Sequence, residues 1–262
     1  MNIAIFGDGR LGTEIDDALG SRSGIRPLIL GRPATGRHPS AALIGMDLVF
    51  EASVGGAARE NVETALSAGV RRFVIATTAW SDDQPAVDAA LRRAHASAVT
   101  APNFSVAVNL FFRLVDAATR LYGPIAAFDP YVLEWHHAAK ADRPSGTARE
   151  LLRRIVAAHP RKRGVRERDA DGPADPELVE VAVLRAGASP GMHLVGFDAP
   201  SETLELRLTA RDRSAYANGA VAAADWLMAQ PRQPGIHSFD EVVDEILLTP
   251  SRTSNHATGD LR

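Results

Sequence analysis

Ile3-Ala-Ile-Phe6 runs straight into Gly7-Asp-Gly-Arg-Leu-Gly12. A short apolar strand is thus followed at once by a glycine-rich turn, and Leu11, Ile15, Ala18 and Leu19 then recur on one helical face. A lone G-x-G-x-x-G is weak. One bracketed by a strand and a helix points to a dinucleotide. Gly7 permits the tight turn, Gly9 lets the backbone approach a pyrophosphate, and Gly12 allows close helix–strand packing. Arg10 and Leu11 fill the variable positions of the motif and count with it as cofactor-binding. A glycine turn without a ligand is the plainer alternative.

The next segments repeat the pattern. Leu28-Ile-Leu30 is a second strand ending in Gly31-Arg32. An NAD-preferring site usually carries Asp or Glu here for the ribose 2′-hydroxyl. No acid is present, and Arg32 stands where a 2′-phosphate would lie, with Arg37 a second candidate. NADPH is therefore expected to serve at least as well as NADH. Leu48-Val-Phe50, Phe73-Val-Ile-Ala76 and Ala98-Val-Thr100 read as further strands, with a helix from Gly56 to Ala68. Strands alternating with helices predict an α/β fold with a doubly wound parallel (Rossmann) sheet. Ligands in such sheets lie beyond the carboxyl ends of the strands. That rule places Gly7 to Gly12, Arg32, Ala52, Ser53, Thr77, Thr78, Asn103 and Phe104 on one cofactor-binding rim.

Ser105 to Tyr122 reads as a long helix with Val108, Phe111, Phe112, Val115 and Ala118 on its core face. Tyr131-Val-Leu133 is a strand that delivers Glu134-Trp-His-His-Ala-Ala-Lys-Ala-Asp-Arg-Pro-Ser-Gly-Thr147. Ala148, Leu151, Leu152, Ile155 and Val156 follow at helical spacing. Pro144 with Ser145 or Thr147 signals the helix start, and Thr147 with Glu150 fits a capping box. Ser145, Gly146 and Thr147 therefore sit at a helix N-terminus, where free N–H groups, hydroxyls and the dipole favour an anion. Lys140 can add a full charge, so a carboxylate or phosphate is the simplest ligand. A histidine such as His136 or His137 is most often packed or solvated. A metal is the weaker reading, because cysteine is absent and adjacent histidines point apart unless the backbone turns. Proton transfer suits a histidine beside an anion-binding lysine, since its reference pKa of about 6.5 lies near working pH.

Arg161 to Glu177 reads as an exposed, charge-rich loop. Leu178 to Leu184, His193 to Phe197 and Thr203 to Thr209 read as strands without intervening helices. They predict a second α+β domain with an open, mixed or mostly antiparallel sheet. Ala215 to Met228 and Phe239 to Leu248 read as helices, and 249–262 as a flexible tail. The 262 residues exceed the usual single domain, and 45% hydrophobic with 23% charged residues is ordinary for a globular enzyme. A net charge of −3 gives no case for nucleic acid or an acidic membrane surface. No apolar run approaches the roughly 20 residues that span a bilayer. The absence of cysteine fits a cytoplasmic setting.

These residues carry a resemblance. The chain is similar to the 4-hydroxy-tetrahydrodipicolinate reductase (dihydrodipicolinate reductase) family from the glycine motif to Asn218-Gly219-Ala220. The most specific match is Glu134-x-His-His-x-x-Lys-x-Asp-x-Pro-Ser-Gly-Thr147. Ala101-Pro-Asn-Phe-Ser-x-x-Val-Asn109, Arg185-Ala-Gly187 and Tyr216-Ala-Asn-Gly-Ala220 also match. The resemblance implies a dinucleotide-binding domain of residues 1–104 and 215–248. It also implies a substrate-binding domain of 105–214 whose open sheet assembles a homotetramer. The implied reaction, in diaminopimelate–lysine biosynthesis, is hydride transfer from NAD(P)H to a cyclic imine dicarboxylate. His136 resembles the general acid, with Lys140 beside it in the catalytic pair. His137, Lys140, Ser145, Gly146 and Thr147 resemble contacts to the substrate carboxylates. Lys140 and His137 are expected to lower the pKa of His136 in the empty site, and a dianionic substrate to raise it.

Two segments depart from the family. A Gly-Thr-Thr-Gly turn is usual where this chain has Ala76-Thr77-Thr78-Ala79, and Asp-Phe-Thr-x-Pro where it has Glu51-Ala-Ser-Val-Gly55. Three readings stay open: the pathway enzyme itself, a paralogous reductase of another cyclic imine or unsaturated carboxylate, and a non-catalytic dinucleotide-binding protein.

Overall fold

A computed structural model describes residues 1–33, 38–167 and 172–248. Arg37 and the 249–262 segment read as a tail lie outside the described residues. The first sheet has six parallel strands: β1 (Ile3–Phe6), β2 (Leu28–Leu30), β3 (Leu48–Glu51), β4 (Arg72–Ile75), β5 (Ser97–Thr100) and β11 (Gly235–Ser238). Their spatial order is β11-β5-β4-β3-β1-β2. β1 and β3 are buried along their whole length, as strands covered on both faces must be. Ile3, Ile5, Phe50 and Val74 pack on one face against Ala217 to Leu227 and Val243. Ala4, Phe6, Val49 and Phe73 pack on the other against Val62 and Val87. Helices α1 (Arg10–Ser23), α6 (Ser214–Ala229) and α7 (Phe239–Leu248) thus cover one face, and α2 (Gly55–Ser67) and α3 (Gln84–Arg93) the other.

The glycine motif works through close approach. Gly12 lies inside α1, and a Cβ there would sit 2.0 Å from the Gly7 carbonyl oxygen. At Gly7, with φ +106, a Cβ would meet the Ala52 carbonyl at 2.4 Å. Gly9 faces open space.

The second sheet is formed by β6 (Asp129–His136), β7 (Gly164–Glu167), β8 (Leu178–Arg185), β9 (Met192–Ala199) and β10 (Glu202–Thr209), in the order β10-β9-β6-β8-β7. Helices α4 (Val106–Tyr122) and α5 (Gly146–Ala158) pack on one face through Phe111, Val115, Leu151 and Ile155 against Val132, Val179 and Phe197. Among the described residues no helix covers the other face, which exposes Trp135 and Leu184, paired across β6 and β8.

The second sheet is mixed, one of the two forms expected: β6 pairs in parallel with β8, and β8 with β7. Three expectations change. The stretch read as a loop contributes β7, an edge strand whose charged residues suit an edge. β11 went unread, since Gly235-Ile-His-Ser has too few apolar residues to show a period; β5 pairs with it, and Asp88 accepts the Ile236 N–H at 2.8 Å. The cap of α5 is Ser145, not Thr147: Ala148 N–H donates to Ser145 Oγ at 3.2 Å. Glu150 turns instead to Arg153 and Arg154.

Candidate active site

Strand register assembles the site. Glu134 on β6 lies opposite His193 on β9, and His136 opposite Arg185 on β8. All four are on the face toward α5. Glu134 is 1% exposed and accepts Arg185 Nη2 at 2.6 Å and the Ser145 N–H at 3.0 Å. One carboxylate thereby ties the end of β6 to β8 and to the first turn of α5. His193 Nε2 lies 3.4 Å from His136 Nε2 and 3.1 Å from Ser145 Oγ. Arg185 Nη2 also donates to the Asp142 carbonyl, and Lys140 pairs with Asp142 at 2.7 Å. Gly191, at φ +150, leaves room for the imidazole; a Cβ there would sit 2.8 Å from His136 Cε1.

The charges follow from this packing. Burial would raise the Glu134 carboxyl, but His193, Ser145 and Arg185 outweigh it and hold its pKa at about 2. Burial lowers His136 first, then the neighbouring His193, with Lys140 and Arg185 adding to the fall and Glu134 opposing it, giving about 4. Lys140 does depress His136, as expected, but it ranks behind burial and His193, and His137 is not among the causes.

Glu134, His136 and His193 bring three donor atoms within 4.8 Å, a spacing that a divalent ion could bridge. The electrostatics oppose it. Arg185 already compensates the only carboxylate of the set, and the same surroundings repel a proton from His136. What disfavours one added positive charge disfavours two.

The expected residues fall into three places, two of them continuous. Arg10, Leu11, Thr78, Asn103 and Phe104 line a cleft together with His136, His137 and Lys140. Ser145, Gly146 and Thr147 line an adjoining hollow, which shares Thr78, Asn103, Lys140 and Tyr216 with the cleft. The ends of the two sheets therefore face each other across one continuous space. Gly7, Gly9, Arg32, Ala52 and Ser53 line a third hollow on the far side of the α1 N-terminus. Gly12 and Thr77 line none of these among the described residues: Gly12 packs inside α1, and Thr77 is buried.

Thr77 has another partner. Its hydroxyl donates to Glu51 Oε1 at 2.9 Å, and Asn61 Nδ2 donates to Oε2 at 2.9 Å. The Ser53 N–H and hydroxyl complete the set around Glu51. Burial pushes the Glu51 carboxyl up against the pull of these donors. Glu51 thus pins the rims of β3 and β4 together under the cleft. The altered turn keeps a left-handed residue at Ala79, with φ +59. Ala79→Gly is expected to raise the unfolding free energy by about 0.5–1 kcal/mol, the left-handed penalty less the entropy cost of glycine. A urea titration measures it; no gain would mean that the turn is unstrained.

Glu134, Arg185, His193, Glu51 and Asn61 were not singled out by role in the sequence. Glu134 and Arg185 lay inside matching motifs, which was the one signal for them; His193 was a lone histidine on a strand.

Comparisons with known proteins agree with the fold. The family described as dihydrodipicolinate reductase, C-terminus, matches residues 107–243. A 4-hydroxy-tetrahydrodipicolinate reductase of Methanosarcina barkeri is 36% identical over 198 residues, covering 75% of this chain and 73% of the relative. One from Methanoregula boonei is 36% identical over 197 residues, covering 75% and 74%. Among solved structures, dipicolinate-bound dihydrodipicolinate reductase from Paenisporosarcina sp. TG-14 superposes with a TM-score of 0.70 at 18% identity, covering 91% of this chain and 97% of that one.

Proposed function

Because the chain belongs to the 4-hydroxy-tetrahydrodipicolinate reductase family and is an oxidoreductase, we propose that it reduces a cyclic imine dicarboxylate, 4-hydroxy-tetrahydrodipicolinate, with NAD(P)H in diaminopimelate–lysine biosynthesis. The observation that carries this reading is the continuous cleft. It sets the anion-binding turn, Lys140 and His136 against the rim of the parallel sheet.

The residues fit a dinucleotide. Gly9 leaves open space, and α1 begins there with no side-chain cap, so its N–H groups are free for a pyrophosphate. The two hollows on either side of this helix end, with Gly7, Gly9, Arg32, Ala52 and Ser53 on one and Arg10, Leu11, Thr78, Asn103 and Phe104 on the other, would take its two halves. Gly12 and Thr77 support that rim from beneath. Arg32 favours NADPH. When bound, the reduced nicotinamide supplies hydride to the conjugated imine.

The substrate's 4-hydroxyl leaves as water to give that conjugated imine, and after hydride addition His136 donates the proton that converts the resulting enamine to the product imine. Lys140, His137 and the Ser145-Gly146-Thr147 turn hold the two carboxylates, each charge-assisted bond contributing roughly 1.5–3 kcal/mol. We divide the chain at 104/105 and 214/215, in line with the separate cores of the two sheets. The face that exposes Trp135 and Leu184 supports a homotetramer, which sedimentation equilibrium would test. Among the described residues no helix is long and apolar enough to cross a membrane, and we place the reaction in the cytoplasm.

A His136 with a pKa of about 4 is neutral at pH 7 in the empty site. A dianion beside it restores the charge, so substrate binding draws in the proton that catalysis then spends. Dipicolinate is expected to bind the coenzyme-loaded protein at pH 7 with uptake of up to about half a proton per site, because a nearby anion lifts a histidine from about 4 to about 7 at most. Calorimetry in buffers of different ionisation enthalpy measures this; zero uptake would remove His136 as the acid.

The direct test is oxidation of NADPH and NADH by the purified chain, with substrate made in situ from aspartate semialdehyde and pyruvate by the preceding synthase. Turnover supports the pathway reaction. Coenzyme binding without turnover favours the second reading, a paralogous reductase of another cyclic imine or unsaturated carboxylate, for which the altered turn at Ala76 to Ala79 is the motivating observation. No coenzyme binding would remove the reductase mechanism and leave the protein without a place for hydride chemistry.

A further inference from the structure

Strand β2 ends in Gly31-Arg32 without an acid, yet an acid reaches that position from elsewhere. Asp8, the variable residue between Gly7 and Gly9, folds its carboxylate over Gly31. A Cβ built on Gly31 would lie 2.6 Å from Asp8 Oδ2 and 3.0 Å from its Cγ. The carboxylate therefore stands over the carboxyl end of β2, where an Asp or Glu after the strand would reach the adenosine ribose. Asp8 lines the same hollow as Gly7, Gly9, Arg32 and Ser53. It is exposed, and among the described residues it makes no hydrogen bond or ion pair, not even with Arg32 nearby. Both charges are free to meet a ligand.

We infer that Asp8 supplies the missing ribose-hydroxyl acceptor, so that Asp8 and Arg32 together set the choice between NADH and NADPH. The inference rests on the proposed reading of this hollow as the coenzyme site. Asp8 accepts a hydrogen bond from the ribose hydroxyl of NADH and repels the 2′-phosphate of NADPH. Arg32 attracts that phosphate. The two opposed charges leave the natural chain able to use both coenzymes, and the lack of a side chain at Gly31 leaves room for the Asp8 carboxylate.

Reduced-nicotinamide fluorescence gives Kd for NADH and NADPH with the full chain and with Asp8→Ser, Asp8→Asn and Arg32→Ser. In Asp8→Ser the Kd for NADH should rise about tenfold or more, as for loss of a hydrogen bond to a charged group, while that for NADPH holds or falls. Asp8→Asn keeps the size and a hydroxyl acceptor but loses the charge, so it should improve NADPH alone. Arg32→Ser should weaken NADPH alone. If the NADH-to-NADPH ratio is unmoved in both Asp8 variants, the inference is wrong while the coenzyme site stands. If the natural chain binds neither coenzyme, the reading of the hollow fails and takes the inference with it.

Discussion

His136→Gln is expected to lower kcat by about 10²–10⁴-fold, the usual contribution of a positioned general acid, with little change in coenzyme Kd. Glutamine nearly matches the imidazole in size and can hydrogen-bond, but it cannot release a proton. Water is a poor substitute, because the side chain is 10% exposed beneath Gly191. His193, 3.4 Å away, is the ionisable group in direct contact that can supply a proton in its place, and sustains any residual activity. Steady-state kinetics across pH separates the roles. The natural chain should lose kcat as pH rises through the His136 pKa of the substrate complex, and the variant should lack that limb. A loss confined to KM would mean that His136 binds substrate and does not protonate it.

Glu134→Ala is expected to cost about 3–5 kcal/mol of stability, the usual result of stranding one member of a buried ion pair. The partner left behind is Arg185, whose side chain is 1% exposed. The Ser145 N–H loses its acceptor too. Urea unfolding at pH 7 measures the loss, and Glu134→Gln, which keeps an acceptor for Ser145, should lose less. The linkage has a definite sign. The folded pKa of Glu134, about 2, lies below its ordinary 4.5. Its contribution is therefore full above pH 4.5 and fades as pH falls toward 2, by about 3 kcal/mol in all. His136, also depressed, adds a loss that begins higher, as pH falls from 6.5 toward 4. The variant should lack the lower step. It should also turn over more slowly, because His136 loses the one neighbour that raises its proton affinity. Full stability in Glu134→Ala would mean that Arg185 finds another partner.

The parallel sheet was legible because its signals are local. Ile3 to Gly12 contains strand, turn and helix start in ten consecutive residues, and the later strands are unbroken apolar runs. The start of α5 was legible for the same reason, Ser145 lying next to the apolar pattern of Ala148 to Ile155. The machinery around it was not. Glu134 meets Arg185 across 51 residues and His136 meets His193 across 57, and only strand register joins them. A histidine in a strand gives no sign of which face it takes until its neighbours are known. Asp8 was hidden differently: the acid was sought after β2, whereas the fold brings one in from the turn after β1.

The position of β11 bears on how the protein is made. During synthesis β5 emerges early, but its outer partner and the alanine-rich helix that seals the sheet leave the ribosome more than a hundred residues later. At ordinary elongation rates that delay is on the order of ten seconds. Throughout it the nascent chain carries an open strand edge and an uncovered apolar face, while β6 to β10 can already close on α4 and α5. The half built on the second sheet can mature before the half built on the parallel sheet is sealed, and a chain stalled near residue 210 would expose the surface that chaperones recognise.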